Sequence, residues 1–102
     1  TCVLQRGTQI IEFADRPAFE RISLGRVTGN TVVIPEPTIS RRHAELSWNG
    51  TQHVVQDLGS SSGIAVNDER VNQRALLDGD ILAIGGVRFC YFVGPDARKR
   101  AT

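Results

Sequence analysis

No stretch of this chain approaches the ~18 consecutive apolar residues of a membrane-spanning helix, so membrane insertion is not expected. Methionine is absent, and cysteine occurs only at Cys2 and Cys90. Two thiols so far apart in sequence supply neither a metal cluster nor a disulfide framework, which points to a reducing, cytoplasmic setting. The pair could meet only if the first and last strands lay side by side. No basic and apolar leader is present, and without methionine the chain reads as a segment of a longer polypeptide. A formal net charge of +1 creates no overall field for nucleic acid, so any attraction for anions must be local. A convincing 3.6-residue hydrophobic period is missing throughout, which leaves almost no room for helix.

What the 102 residues do contain is one domain's worth of short alternating runs, with 40% hydrophobic and 23% charged residues, as ordinary globular domains have. Cys2-Val3-Leu4-Gln5-Arg6 and Gln9-Ile10-Ile11-Glu12-Phe13 flank Gly7-Thr8 as a hairpin would, and Asp15-Arg16-Pro17 ends it. Ile22-Ser23-Leu24 runs into Gly25-Arg26, and after the turn residues Thr28-Gly29-Asn30 comes a compact run, Thr31-Val32-Val33-Ile34. Pro35 and Pro37 then forbid a continued ladder and push the chain into an extended loop leading to Ser40. Ala44, Leu46 and Trp48 alternate onto one face, and Asn49-Gly50 turns the chain back through residues 52–57. Ile64-Ala65-Val66, a turn at Asn67-Asp68, Glu69-Arg70-Val71, Ile81-Leu82-Ala83-Ile84 and the run Val87 to Val93 complete the pattern. Turn signals recurring every eight to twelve residues or so identify an all-β sandwich. Residues 1–94 read as the domain, and residues 95–102 as a basic polar tail or the start of a linker, with Arg98, Lys99 and Arg100 solvated.

Three polar corners interrupt these runs: Gly25-Arg26, Ser40-Arg41-Arg42-His43, and Gly59-Ser60-Ser61-Ser62-Gly63. Arg26 and Arg41 can each fork two N–H groups onto the oxygens of a phosphate, and Ser40 and the serines at 60 to 62 add hydroxyl and backbone donors. The chemistry is capture rather than turnover. Gly59 to Gly63 matches the Gly-x-Ser-x-Gly of a hydrolase nucleophile elbow, but that motif needs a strand-to-helix turn and a downstream histidine. Here a short strand follows, and His43 and His53 both precede the serines. No catalytic residue, metal site or cofactor is expected.

Five blocks, Leu24-Gly25-Arg26, Ile39-Ser40-Arg41-Arg42-His43-Ala44, Asp57-Leu58-Gly59-Ser60-Ser61-Ser62-Gly63, Val66-Asn67, and Leu77 through Gly85, stand in the order and spacing of a forkhead-associated (FHA) domain. The chain resembles that family over roughly residues 22 to 93. The resemblance implies a β-sandwich of two twisted, mainly antiparallel sheets, about eleven strands in all, with the binding loops at one end. It implies phosphothreonine-peptide contacts from Arg26, Ser40, Arg41, Ser61 and Ser62. Gly25, His43, Gly63 and Asn67 would support the site structurally, His43 by bracing the phosphate-binding loop. The partner implied is a phosphothreonine-bearing protein marked by a Ser/Thr kinase, captured reversibly by a module of a larger signalling protein. A phosphate-independent scaffold or self-association domain is the alternative. One departure stands out, since the family usually has Ser-Asn-Gly-Thr or Thr-Asn-Gly-Thr where this chain has Ser61-Ser62-Gly63-Ile64. Its asparagine grips the peptide backbone on both sides of the phosphothreonine, and the shorter serine cannot donate and accept across that span.

Overall fold

A computed structural model describes residues 2–13 and 21–101; the hairpin end expected at Asp15-Arg16-Pro17 lies outside them. Among the described residues eleven strands form two sheets, and the all-β expectation is met. The six-stranded sheet runs β2 (Gln9–Phe13), β1 (Cys2–Arg6), β11 (Val87–Val93), β10 (Ile81–Ile84), β7 (Ile64–Val66), β8 (Glu69–Val71). Its five-stranded partner runs β4 (Val32–Val33), β3 (Arg21–Gly25), β5 (Ala44–Trp48), β6 (His53–Asp57), β9 (Gln73–Ala75). Among the described residues the strand pairings are antiparallel except β3 with β4.

Alternation decides which side chains meet between the sheets. Leu4, Leu24, Leu46, Val55, Leu82, Ile84, Phe89 and Tyr91 are buried in one core cluster. Each such side chain contributes on the order of 1.5–3 kcal/mol by leaving water. Val87 and Val93 pack against the same cluster, as expected for residues sharing a face of β11 with Phe89 and Tyr91. Register also answers the question of the cysteines. Strands β1 and β11 do pair, but Cys2 stands opposite Val93, and Gln5 opposite Cys90. Cys2 belongs to the core, whereas Cys90, one residue from Phe89 and Tyr91, points to the other face, and both thiols are free.

Three local features differ from the sequence reading. Strand β9 has no sequence signal, because Gln73-Arg74-Ala75 shows no apolar alternation and forms an edge strand on β6. The Asn49-Gly50 corner is a four-residue loop rather than a two-residue turn, with Trp48 opposite His53. Asn49 Oδ1 accepts from Thr51 N, Thr51 Oγ1 and Gln52 N, and so organises the wider loop itself. Residues 95–101, expected as a tail or linker, include a one-turn helix α1 (Ala97–Arg100). Ala97 and Ala101 are small enough to bury against Val3, and the Arg100 guanidinium lies 5.2 Å from the Phe92 ring while pairing with Asp78. That contact holds the Asp78 carboxyl below the usual carboxylate range.

At the sandwich end occupied by Cys2 and the 49–52 loop, His53 Nδ1 is 2.7 Å from the Tyr91 hydroxyl, and its ring meets Trp48 edge-on at 4.9 Å. Burial lowers the His53 pKa below its ordinary 6.5, so the fold prefers the neutral ring. The unfolded chain then takes up this proton more readily than the folded one. Stability from this group is complete above pH 6.5 and is lost as pH falls through the lower folded value. Thermal unfolding at pH 7.5 and 5.5 is expected to show a drop in midpoint that shrinks in His53→Gln; an unchanged drop assigns it to other groups.

Candidate functional site

Three loops converge at the opposite end, because β3, β5 and β6, whose ends carry them, are neighbours in one sheet. The residues after β3 bring Arg26, the residues before β5 bring Ser40 to His43, and the residues between β6 and β7 bring Ser60 to Gly63. The backbone N–H of Arg26 donates to Ser40 O at 3.0 Å, and its Nε donates to Ile39 O, also at 3.0 Å. Among the described residues neither terminal nitrogen of this exposed guanidinium has a partner. Gly25 explains the closeness of these two loops: a Cβ there would stand 2.1 Å from the Arg41 carbonyl oxygen and 2.6 Å from Asn30 Nδ2.

His43 is fully buried and ties two corners together. Its Nδ1 accepts the Ser40 N–H at 3.0 Å, so the ring proton sits on Nε2, which donates to Gly63 O at 2.8 Å. Its backbone extends the tie, with His43 N donating to Leu24 O and Leu58 N donating to His43 O. The ring is thus a crosspiece, with no free nitrogen for acid–base chemistry or a metal. Among the described residues no group of three His, Cys, Asp or Glu side chains converges to hold a metal ion.

The serine corner is folded upon Asp57. Asp57 Oδ2 accepts from Gly59 N and Ser60 N, its Oδ1 accepts from Ser60 Oγ, and Ser60 Oγ in turn accepts from Gly63 N at 2.8 Å. Ser61 N donates to Ser40 Oγ at 3.3 Å, which leaves the Ser40 hydroxyl proton free to be donated outward. Ser62 Oγ donates to Thr38 O at 3.0 Å, so its proton is spent joining two loops. Gly63 has φ +75, which suits glycine, and its Cα lies under the Arg70 guanidinium.

Arg26, Ser40, Arg41, Ser61, Ser62, Gly25, His43 and Gly63 therefore lie on three mutually bonded loops. Arg41 is exposed, with no partner for its side chain among the described residues, whereas Arg42 faces Glu45 at 3.7 Å. Asn67 is not brought to the corner. It sits at the far end of β7 from Gly63, where Nδ2 donates to Asp80 Oδ1 and Oδ1 accepts from Ile81 N, so it braces the start of β10. With Asp68 it forms a tight turn in which both residues have positive φ, 51 and 68.

Two residues have roles that the sequence does not announce. In sequence Asn30 is only a turn residue, yet its Nδ2 donates at 2.8 Å to both Val27 O and Arg41 O. Arg70 is in sequence only part of a short strand. An asparagine shortly after Gly-Arg was the available signal for the first; nothing local signalled the second.

A family model, FHA domain, matches residues 22–85. Over 75 residues the chain is 39% identical to the oxoglutarate dehydrogenase inhibitor of Corynebacterium jeikeium (strain K411), covering 74% of this chain and 52% of that protein. It is 38% identical over 73 residues to the glycogen accumulation regulator GarA of Mycolicibacterium smegmatis, covering 72% and 46%. The chain thus spans about half the length of these curated relatives. Among solved structures, EmbR of Mycobacterium tuberculosis in complex with a low-affinity phosphopeptide superposes with a TM-score of 0.80 at 28% identity, covering 91% of this chain and 24% of that one.

Proposed function

The chain belongs to the FHA domain family, and from that premise we propose that it recognises phosphothreonine peptides, reversibly capturing partners marked by a Ser/Thr kinase as a module of a larger signalling protein. The observation that carries this reading is the Arg26 guanidinium, anchored through Nε to Ile39 O beside the Ser40 hydroxyl, with no partner on its terminal nitrogens among the described residues. A dianionic phosphate seated between Arg26, Ser40, Arg41 and Ser61 would receive charge-assisted hydrogen bonds from pre-positioned groups. The phosphopeptide complex formed by EmbR supports the same ligand class.

Two or three such bonds at about 1.5–3 kcal/mol each, less the ordering of a flexible peptide, correspond to affinities on the order of micromolar. That strength suits reversible assembly inside the cell. Ser62 takes a different part from the phosphate ligands: its hydroxyl ties the serine corner to Thr38 O, and its part in binding the peptide is assigned to its backbone. His43, Gly25 and Gly63 hold the loops, and no step of bond making or breaking is assigned to any of them.

The test is fluorescence anisotropy with a degenerate phosphothreonine peptide library and its phosphoserine and unphosphorylated counterparts. Binding confined to the phosphothreonine library is expected. Equal binding of the unphosphorylated library would instead make the chain a phosphate-independent scaffold.

A further inference from the structure

We propose that Arg70 reads an acidic side chain flanking the phosphothreonine, making the site selective for acidic peptides; this rests on the phosphopeptide reading above. The first observation is position. A Cβ built on Gly63 would meet three atoms of the Arg70 guanidinium at 2.5 to 2.8 Å, so that group lies directly on the Gly63 backbone, next to Ser62. Strand β8 is an edge strand, and Arg70, opposite Ala65, extends past the end of its own ladder to the serine corner.

The second observation is electrostatic. Among the described residues Arg6, Arg21, Arg42, Arg74, Arg88 and Arg100 each pair with a carboxylate. Arg70 pairs with none, although its two preceding residues are acidic. Asp68 is engaged by Arg88 at 3.1 Å, and Glu69 by Arg74 at 2.6 Å. Both neighbouring carboxylates thus face other arginines, and the Arg70 charge is left without a carboxylate at the serine corner, on the same end of the sandwich as Arg26 and Arg41. Three arginines without a carboxylate at one end exceed what one phosphate requires. The guanidinium's planar fork matches a carboxylate from the bound peptide.

The experiment uses synthetic fluorescein-labelled peptides with a central phosphothreonine. One has neutral flanks, and the others carry a single glutamate at each position from four before to four after it. Against this chain, at least one glutamate position is expected to raise affinity about two- to fivefold, the range of a solvent-exposed ion pair. The ratio of acidic to neutral affinity should fall to about one in Arg70→Gln and invert toward a lysine-flanked peptide in Arg70→Glu. Thermal unfolding verifies that both variants fold. Phosphothreonine binding with no acidic preference, or a preference that survives Arg70→Gln, overturns the inference alone. Equal weakening of acidic and neutral peptides also overturns it, since Arg70 would then serve the phosphate or the loop. No binding of any phosphothreonine peptide overturns the phosphopeptide reading and this inference together.

Discussion

Arg26→Ala is expected to weaken binding of a phosphothreonine peptide at least tenfold while the domain stays folded. The backbone of Arg26 is pinned to Ser40 O and its Nε to Ile39 O, so the guanidinium is held in place before any ligand arrives. Alanine removes the charge and both terminal donors, and each charge-assisted bond is worth about 1.5–3 kcal/mol. One such bond already accounts for a tenfold loss. The fold loses only the Nε bond to Ile39 O, a neutral-acceptor contact at an exposed residue, worth about 1 kcal/mol. Arg26→Lys should fall between, keeping the charge but losing the fork and the anchoring Nε. Anisotropy titration of the three proteins, with denaturant unfolding alongside, checks both halves; an Arg26→Ala affinity within twofold of the parent would remove Arg26 from the site.

His43→Ala should have the largest effect on stability, on the order of 3–5 kcal/mol. The imidazole is fully buried and uses both nitrogens, one for Ser40 N–H and the other for Gly63 O. Truncation leaves a donor and an acceptor without partners, at about 1–3 kcal/mol each, and opens a cavity whose cost adds to theirs. Gly85 packs against the same ring, where a Cβ would come within 3.2 Å of His43 Cε1, so the cavity has little freedom to collapse. Because the ring joins the Ser40 loop to the Gly63 corner, phosphopeptide affinity should fall too, with no phosphate contact removed. Urea unfolding gives the stability change directly. A loss below about 1 kcal/mol would mean that water or a rearranged loop replaces both hydrogen bonds.

Much of this architecture is legible in the sequence because period-two alternation is a local signal. The runs at 44–48 and 87–93 declare which face is buried without any knowledge of their partners. Asn67-Asp68 declares its turn because few residues accept positive φ twice in succession. Strand β9 is not legible, since its place is set by β6 offering a free edge and not by its own polar residues. The helix at Ala97 is hidden for a related reason: Ala97 and the capping Ala101 matter only because Val3 lies beneath them.

The candidate site divides the same way. Gly25, Arg26, Ser40, His43 and Gly63 stand in recognisable blocks, and the structure gathers them. Arg70 belongs to no block. Its relation to Gly63 exists only once β7 and β8 have paired, and its missing carboxylate is visible only after Asp68 and Glu69 have found other arginines. The departure at Ser62 was visible, but its consequence was not, because the hydroxyl's partner, Thr38 O, lies 24 residues away.

Amide chemical-shift mapping tests whether the three bonded loops form one phosphate-capturing pocket. A 15N-labelled domain would be titrated with a phosphothreonine peptide and with its unphosphorylated twin. Phosphate-dependent shifts are expected at Arg26, Ser40, Arg41, Ser61, Ser62 and Gly63, with the 49–52 loop at the far end unmoved. Shifts centred on another face, or the same shifts from the unphosphorylated peptide, would contradict it.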